Sequence, residues 1–372
     1  MKAKQKIVVV AGARPNFMKV GPLFWELARL RAAGADNLPE MMLIHTGQHY
    51  SDNMSEAFFR DLGIPEPDEN LEVGSDSHAR QTAAIMVGFE RVWLRERPDW
   101  VVVVGDVNST AACALTVSKL GGRLAHVEAG LRSRDRSMPE EINRLVTDVL
   151  ADRLYTTDVL ADQNLLAEGV DQAKIRLVGN IMIDSLARGL PKARSLAVAA
   201  ELGLAPGAYA VVTLHRPSNV DAEPSLRAMW LMLGELQRRL PVVFPVHPRT
   251  MARLADFGLL GLAKGWPGLR LVEPMGYLRF LGLVADSRLV LTDSGGLQEE
   301  TCYLGLPCLT LRQNTERPVT IAAGTNHLVG LEPADILAKV DQLLAATKPA
   351  PNPPPLWDGH TARRIMADLL AG

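Results

Sequence analysis

Residues 290–305 read VLTDSGGLQEETCYLG. An apolar run ends in Asp293-Ser294-Gly295-Gly296, and a helical stretch starts at once. Small residues let the backbone come close to a ligand. A helix start offers unpaired N–H groups and a positive dipole end, which suits an anion such as phosphate. One turn further, Glu299 and Glu300 offer acceptors for vicinal hydroxyls such as those of a ribose. The same strand-turn-helix pattern continues outward in both directions. The apolar runs are KIVVVAG, MMLIHTG, DWVVVVGD, RLAHVEAG, RLYTT and IRLVGN, then YAVVTLH, LPVVFPVH, LRLVEPM, SRLVLTDSG and PCLTLR. Continuous β-branched runs suit strands buried on both faces. Between them lie amphipathic stretches such as MKVGPLFWELARLRAA and EPSLRAMWLMLGELQRRL. This alternation predicts an α/β chain with parallel sheets and right-handed crossovers.

With 372 residues the chain is too long for one ordinary core and suits two domains. The alternation lapses over 181–208, which reads as the join between two α/β domains. A second break, TKPAPNPPPLWDG at 347–359, is proline-rich and extended, and a last helix, HTARRIMADLLAG, follows. Hydrophobic residues make up 47% and charged residues 22%, with a formal net charge of −2. That balance fits a globular protein and points to neither a nucleic-acid partner nor a membrane surface. No apolar run is long enough to span a bilayer. The start, MKAKQKIVVVAGARP, lacks a signal-peptide core and reads as a first buried strand, so a cytoplasmic location is expected. Cys113, Cys302 and Cys308 form no metal-ligand or disulfide pattern, and the eight histidines form no HExxH-like cluster.

In an open parallel sheet, ligands bind beyond the C-terminal strand ends. Two sheets facing one another would place those ends on one cleft. The first βα turn, GARPNFMK, is not GxGxxG, so it lacks a dinucleotide fingerprint. It carries Arg14, a planar fork suited to a diphosphate, and Lys19. Asp106 ends the most hydrophobic strand, where partial desolvation would raise a carboxyl into an acid/base range. Asn108 to Thr110 could cap the helix behind it. Glu128 occupies the same place on the next strand and opens HVEAGLRSRDRSMPEEINR at 126–144, with four carboxylates and four arginines. Pro139, Glu140 and Glu141 read as the first turn of a helix. The arginines of LRSRDR would orient carboxylates or close the cleft. His215, Arg216 and His247 follow strands in the second half, and Arg317 lies in NTERPVT.

In GARPNFMK, TGQHY, GDVNST, HVEAGLRS, MPEEINR, LHRPSN, DSGGLQEE and NTERPVT, over nearly its whole length, the chain resembles the non-hydrolysing UDP-N-acetylglucosamine 2-epimerases. The resemblance implies a GT-B fold, with two Rossmann-like doubly wound parallel-sheet domains facing across a cleft. The domains would be 1–180, joined by a returning C-terminal helix at 357–372, and a UDP-binding domain at 181–356. It implies catalytic roles for Asp106, Glu128, Glu140 and His215. Arg14, Lys19, His215, Phe280, Ser294, Gly295, Gly296, Glu300 and Arg317 would bind UDP and substrate, Phe280 near the base and Glu300 at the ribose. The implied reaction is reversible C2 epimerisation of UDP-N-acetylglucosamine to UDP-N-acetylmannosamine, through elimination of UDP to 2-acetamidoglucal and re-addition. Neither metal nor nicotinamide is expected. The expected partners are a UDP-sugar and a second copy of the chain in a homodimer.

Where many members carry a basic residue for a second, activating UDP-sugar site, this chain has Ala84, so weak or absent activation is expected. HYSDNMSEAFFRDLG and MPEEINR also resemble members that act on modified UDP-sugars. The rival readings are a hydrolysing epimerase releasing N-acetylmannosamine and UDP, a GT-B glycosyltransferase, and a UDP-sugar sensor on an inactive scaffold.

Overall fold

The computed structural model describes residues 4–47, 63–322, 324–347 and 351–371. The chain divides into two units, Met1–Arg188 with Pro355–Gly372, and Gly189–Pro354.

The first unit is built on strands β1 Lys6–Ala11, β2 Glu40–His45, β3 Glu69–Asn70, β4 Trp100–Val104, β5 Leu124–Ala129, β6 Arg153–Thr156 and β7 Ile175–Leu177. They lie in the order β3-β2-β1-β4-β5-β6-β7. Every pairing is parallel, and Val8 pairs with Met42 on one side and Val101 on the other. Helices α1 Arg14–Ala32, α2 His78–Glu96, α3 Asn108–Lys119, α4 Pro139–Leu150 and α5 Val159–Ala167 make the connections. With helices on both faces, Val101 to Val104 are at most 1% exposed. Each such valine contributes about 1.5–3 kcal/mol by burial, which is why this strand reads as an unbroken apolar run.

Helix α6, Ile181–Ser195, crosses the boundary between the units. The second unit carries β8 Ala210–Thr213, β9 Val242–Pro245, β10 Leu269–Val272, β11 Leu289–Thr292, β12 Cys308–Thr310 and β13 Asn326–Leu328. Their order is β10-β9-β8-β11-β12-β13, again with parallel pairings. Its helices are α7 Val198–Glu201, α8 Pro217–Val220, α9 Glu223–Leu236, α10 Pro248–Asp256, α11 Tyr277–Ala285, α12 Gly295–Leu304, α13 Pro318–Ala322 and α14 Pro333–Ala345. Trp230 is buried against Trp266, and its indole N–H donates to the Leu259 carbonyl at 2.9 Å.

The last helix, α15 Thr361–Ala371, belongs to the first unit. Asp184 caps it by accepting from the Thr361 and Ala362 amides at 3.0 and 2.8 Å, and the Tyr155 hydroxyl donates to Asp368 at 2.9 Å. Among the described residues, no helix is long and apolar enough to cross a membrane.

Strand order reverses between β1 and β4 in the first unit and between β8 and β11 in the second. A doubly wound sheet opens a crevice at such a point, beyond the strand ends. The turns at Gly12–Asn16 and Gly105–Asn108 therefore flank one crevice. Those at His215–Asn219 and Asp293–Gly296 flank the other.

Candidate active site

At the first crevice the two turns are tied together. Asn16 accepts from the Gly12 and Ala13 amides at 3.0 and 2.9 Å, and its own amide donates to the Val104 carbonyl at 3.3 Å. Gly105 has φ +66°, a region open to glycine at little cost. Asp106, just beyond it, forms an ion pair with Arg144 of α4. Asn143 donates to the Asp106 carbonyl at 2.9 Å. The carboxylate is thus not simply desolvated at a strand end, because a guanidinium compensates it. Nor do Asn108 to Thr110 cap the helix behind Asp106. Val107 is the cap residue of α3 and makes no side-chain cap bond. Asn108 instead donates to Gln81 at 2.8 Å, and Thr110 to the Val104 carbonyl at 2.9 Å.

Glu128 has φ +70°, at a register shift between Val127 and Ala129 in the β5–β6 pairing. A non-glycine residue held there costs about 1–3 kcal/mol and persists only where its surroundings over-determine it. The irregularity places the carboxylate, 3% exposed, on the ammonium of Lys19, 10% exposed. A Cβ on Gly105 would lie 2.8 Å from Lys19 Nζ and 3.5 Å from Glu128 Oε2. The pair therefore packs directly under the turn that carries Asp106. Glu128 Oε1 is buried with no hydrogen-bond partner among the described residues.

Glu140 and Glu141 open α4, and only one faces solvent. Glu140 is exposed and makes no hydrogen bond or ion pair among the described residues. Glu141 is buried and anchors the preceding loop, accepting from the Ser133 amide, the Ser133 hydroxyl and the Arg134 amide at 2.8, 3.0 and 3.1 Å. Within LRSRDR, Arg132 does orient a carboxylate, reaching Asp148 at 2.7 Å. Arg134 donates to Asn164 at 2.6 Å.

At the second crevice, Asp293 is fully buried and organises the turn. Its Oδ2 accepts from the His215 and Arg216 amides and the Asn219 side chain at 3.0, 2.9 and 3.1 Å. Its Oδ1 lies 2.7 Å from His215 Nδ1. Burial opposes charge on Asp293, but the His215 contacts hold its carboxyl below the usual range. Ser294 stands at the N-cap position of α12 without a side-chain cap bond, and Gly295 and Gly296 supply the first N–H groups, with no acidic side chain in that turn. Those groups lack partners within a helix, and an anion there gains about 0.3–1 kcal/mol when exposed. A Cβ on Gly296 would meet no protein atom within 4 Å, whereas one on Gly295 would lie 3.1 Å from Arg317 NH1.

Arg317 lies against the start of α12 and pairs with Glu299 at 2.7 Å. Glu299 is thereby committed to a cation rather than offered to a ribose. Glu300 is also buried; burial first, and then the Glu299 charge, push its carboxyl up to about 7, with the Tyr277 hydroxyl beside it. Glu316 draws the surrounding cations together, with Arg312 at 2.9 and 3.0 Å, Arg216 at 3.7 Å and Arg317 at 3.8 Å. Burial would raise its carboxyl, but the Arg312 hydrogen bonds and the Arg317 charge bring it to about 2. His247 caps α10 by accepting from the Arg249 amide at 3.2 Å, and its ring lies 6.1 Å from that of His215. Phe280 packs, half-buried, on the core around Tyr209 and Leu283.

Arg14 heads α1, and its side chain lies outside the described residues. So do Gln48, His49 and Tyr50 of the TGQHY motif and most of HYSDNMSEAFFRDLG. Ala84 is exposed on α2. Among the described residues, no group of three or more His, Cys, Asp or Glu side chains is placed to hold a metal ion.

Sequence reading counted Arg144 among the arginines of 126–144 without giving it a partner, and it passed over Asn16, Tyr277 and Glu316. Only Arg144 left a local signal, one helical turn beyond Glu140 on the same face.

A sequence profile described as UDP-N-acetylglucosamine 2-epimerase matches residues 31–370. The chain is 39% identical over 372 residues to the UDP-N-acetylglucosamine 2-epimerase of Methanococcus maripaludis, covering 99% of this chain and 98% of that one. It is 38% identical over 370 residues to the UDP-2,3-diacetamido-2,3-dideoxy-D-glucuronate 2-epimerase of Pseudomonas aeruginosa, covering 98% and 99%. Among solved structures, the Methanocaldococcus jannaschii UDP-GlcNAc 2-epimerase in complex with UDP-GlcNAc and UDP matches with a TM-score of 0.87 and 40% identity, covering 99% of this chain and 100% of that one. With two Rossmann-like parallel sheets, strand-end carboxylates in one and a glycine-led helix start in the other, the chain belongs to the UDP-N-acetylglucosamine 2-epimerase family.

Proposed function

We propose that this protein is an isomerase that interconverts UDP-N-acetylglucosamine and UDP-N-acetylmannosamine at C2. The observation that carries the reading is the carboxylate set of the first unit. Asp106 and Glu128 end neighbouring strands, each paired with a cation from a helix, and Glu140 stands exposed at the start of α4.

A C2 proton beside an acetamido group is not acidic in the ground state. As the C1–O bond to the diphosphate breaks, cationic character at C1 makes it so. A carboxylate takes the proton, the C2–H electron pair becomes the C1=C2 double bond, and UDP departs with the C1–O pair. Return of a proton to the other face of C2 and of UDP to C1 gives the inverted product. Each acid/base group contributes about 10²–10⁴-fold in rate.

The second unit supplies the nucleotide ligands in this reading. The amides of Gly295 and Gly296, with His215, stabilise charge on the departing diphosphate. Glu300 accepts from the ribose. Arg317 acts at one remove, neutralising Glu299 against the start of α12. Phe280 borders the base.

A second reading, a modified UDP-sugar, is favoured by the similarity to the diacetamido-glucuronate epimerase. NMR of the purified protein with UDP-N-acetylglucosamine decides. UDP-N-acetylmannosamine is expected; release of free N-acetylmannosamine would mean a hydrolysing enzyme, and no change would leave the modified sugars to be tried. A second copy of the chain is the protein partner in this proposal, supported by Val87 and Leu94, two turns apart and exposed on α2. A monomer in sedimentation velocity would remove it.

A further inference from the structure

Beneath the carboxylates runs a buried chain of charges. His126 is fully buried on β5, two residues before Glu128. Its Nε2 lies 2.8 Å from the Gly105 carbonyl, the group just before Asp106. Its Nδ1 lies 2.6 Å from Asp148 Oδ1 on α4. The other oxygen of Asp148 accepts from the Gly130 amide at 3.1 Å and contacts Arg132 at 2.7 Å. Arg132 in turn donates to Glu168 at 2.9 and 2.6 Å.

The two neighbours of the ring, a carbonyl and a carboxylate, are both acceptors. The ring can satisfy both only by donating from both nitrogens. Arg132 lies between the carboxylates of Asp148 and Glu168. Burial opposes charge on Asp148, and His126 followed by Arg132 keeps its carboxyl below the usual range.

A buried ion chain is weak evidence for stability, since well-packed apolar residues often serve as well; setting registry is its better-attested use. Here two members of the chain, His126 and Asp148, grip catalytic turns. One holds the carbonyl at Gly105, φ +66°, before Asp106; the other holds the amide of Gly130, φ +78°, two residues after Glu128, φ +70°. Asp148 also lies one turn from Arg144 and two from Glu140 on α4. Gripping Asp148 therefore fixes the rotation of the helix that holds Asp106.

We propose that His126, with Asp148 and Arg132, is a positioning device that sets the Asp106 and Glu128 turns relative to each other and to α4. The proposal rests on the epimerase reading, and its test separates the two. With wild-type epimerase activity measured first, His126→Phe fills the space with an apolar ring and His126→Gln keeps one donor. His126→Phe is expected to lower kcat at least tenfold while KM and UDP affinity stay within about twofold, and His126→Gln to recover part of the loss. A folded His126→Phe enzyme with wild-type kcat would overturn the proposal. If that variant does not fold, Asp148→Asn decides by the same split. Independently of activity, ¹⁵N-histidine NMR of the wild-type protein should find both His126 ring nitrogens in hydrogen bonds, as the 2.6 and 2.8 Å contacts require. One ring nitrogen without a hydrogen bond would refute the device even in an active enzyme. A wild-type protein inactive on UDP-N-acetylglucosamine with both bonds present would sink the epimerase reading instead.

Discussion

At the β1/β4 crevice of the first unit, the strand-end carboxylates each meet a cation from a helix: Asp106 meets Arg144, and Glu128 meets Lys19. At the β8/β11 crevice of the second unit, the strand-end carboxylate Asp293 is consumed by its own turn, holding two amides and a side chain. There the cations, Arg317 and Arg312, are matched to buried Glu299 and Glu316. One topology thus carries two chemistries. In the first crevice, buried Glu128 Oε1 has no hydrogen-bond partner among the described residues, and Glu140 is exposed. The second ties Asp293, Glu299 and Glu316 to partners and leaves backbone N–H groups at the start of α12. The first suits moving a proton, the second holding an anion. Topology locates the crevice, and side chains decide its use.

The largest effects expected from this contrast are on turnover. Asp106→Asn, Glu128→Gln and Glu140→Gln should each lower kcat by about 10²–10⁴, with UDP affinity within tenfold, or about 1.4 kcal/mol. Steady-state kinetics with UDP titration by calorimetry checks this. A Glu128→Gln enzyme that lost UDP binding rather than turnover would erase the division of labour.

Next comes the cost of exposing a buried pair. Lys19→Ala should destabilise the first unit by about 3–5 kcal/mol, because breaking a buried ion pair strands a charge. Denaturant melts followed by signals from each unit would detect it. A loss confined to UDP affinity would mean that Lys19 faces the nucleotide rather than Glu128.

In the second unit, Asp293→Asn keeps the shape and weakens the acceptor. The expected loss is about 1–3 kcal/mol, the range for poorly satisfied buried groups, together with weaker UDP binding. Unchanged UDP affinity would detach Asp293 from the anion site.

The smallest effect is on pH dependence. Glu300 titrates near 4.5 when unfolded and is raised to about 7 in the fold. The folded state keeps a proton that the unfolded chain releases, so stability of the second unit should fall as pH rises between those values and level off above. Glu300→Gln should flatten that slope in thermal melts across the window. A slope that persists would assign it to another group.

The central strands were legible because a parallel strand covered on both faces is a continuous apolar run, as in Val101 to Val104. The edge strands β3, Glu69–Asn70, and β13, Asn326–Leu328, carry no such run and were missed. Strand-end acids and the glycine-led turn were legible from position alone. Their partners were not: Lys19 and Glu128 are 109 residues apart, and Asp106 and Arg144 are 38. Glu299 was misassigned for a related reason. Adjacent residues on a helix point about 100° apart, so Glu299 and Glu300 do not share one task.

The most direct test of proton chemistry at the first crevice is epimerisation in D₂O. Deuterium at C2 of the UDP-N-acetylmannosamine formed, read by NMR, is the predicted result. Epimerised product that retains the original hydrogen at C2 would contradict it.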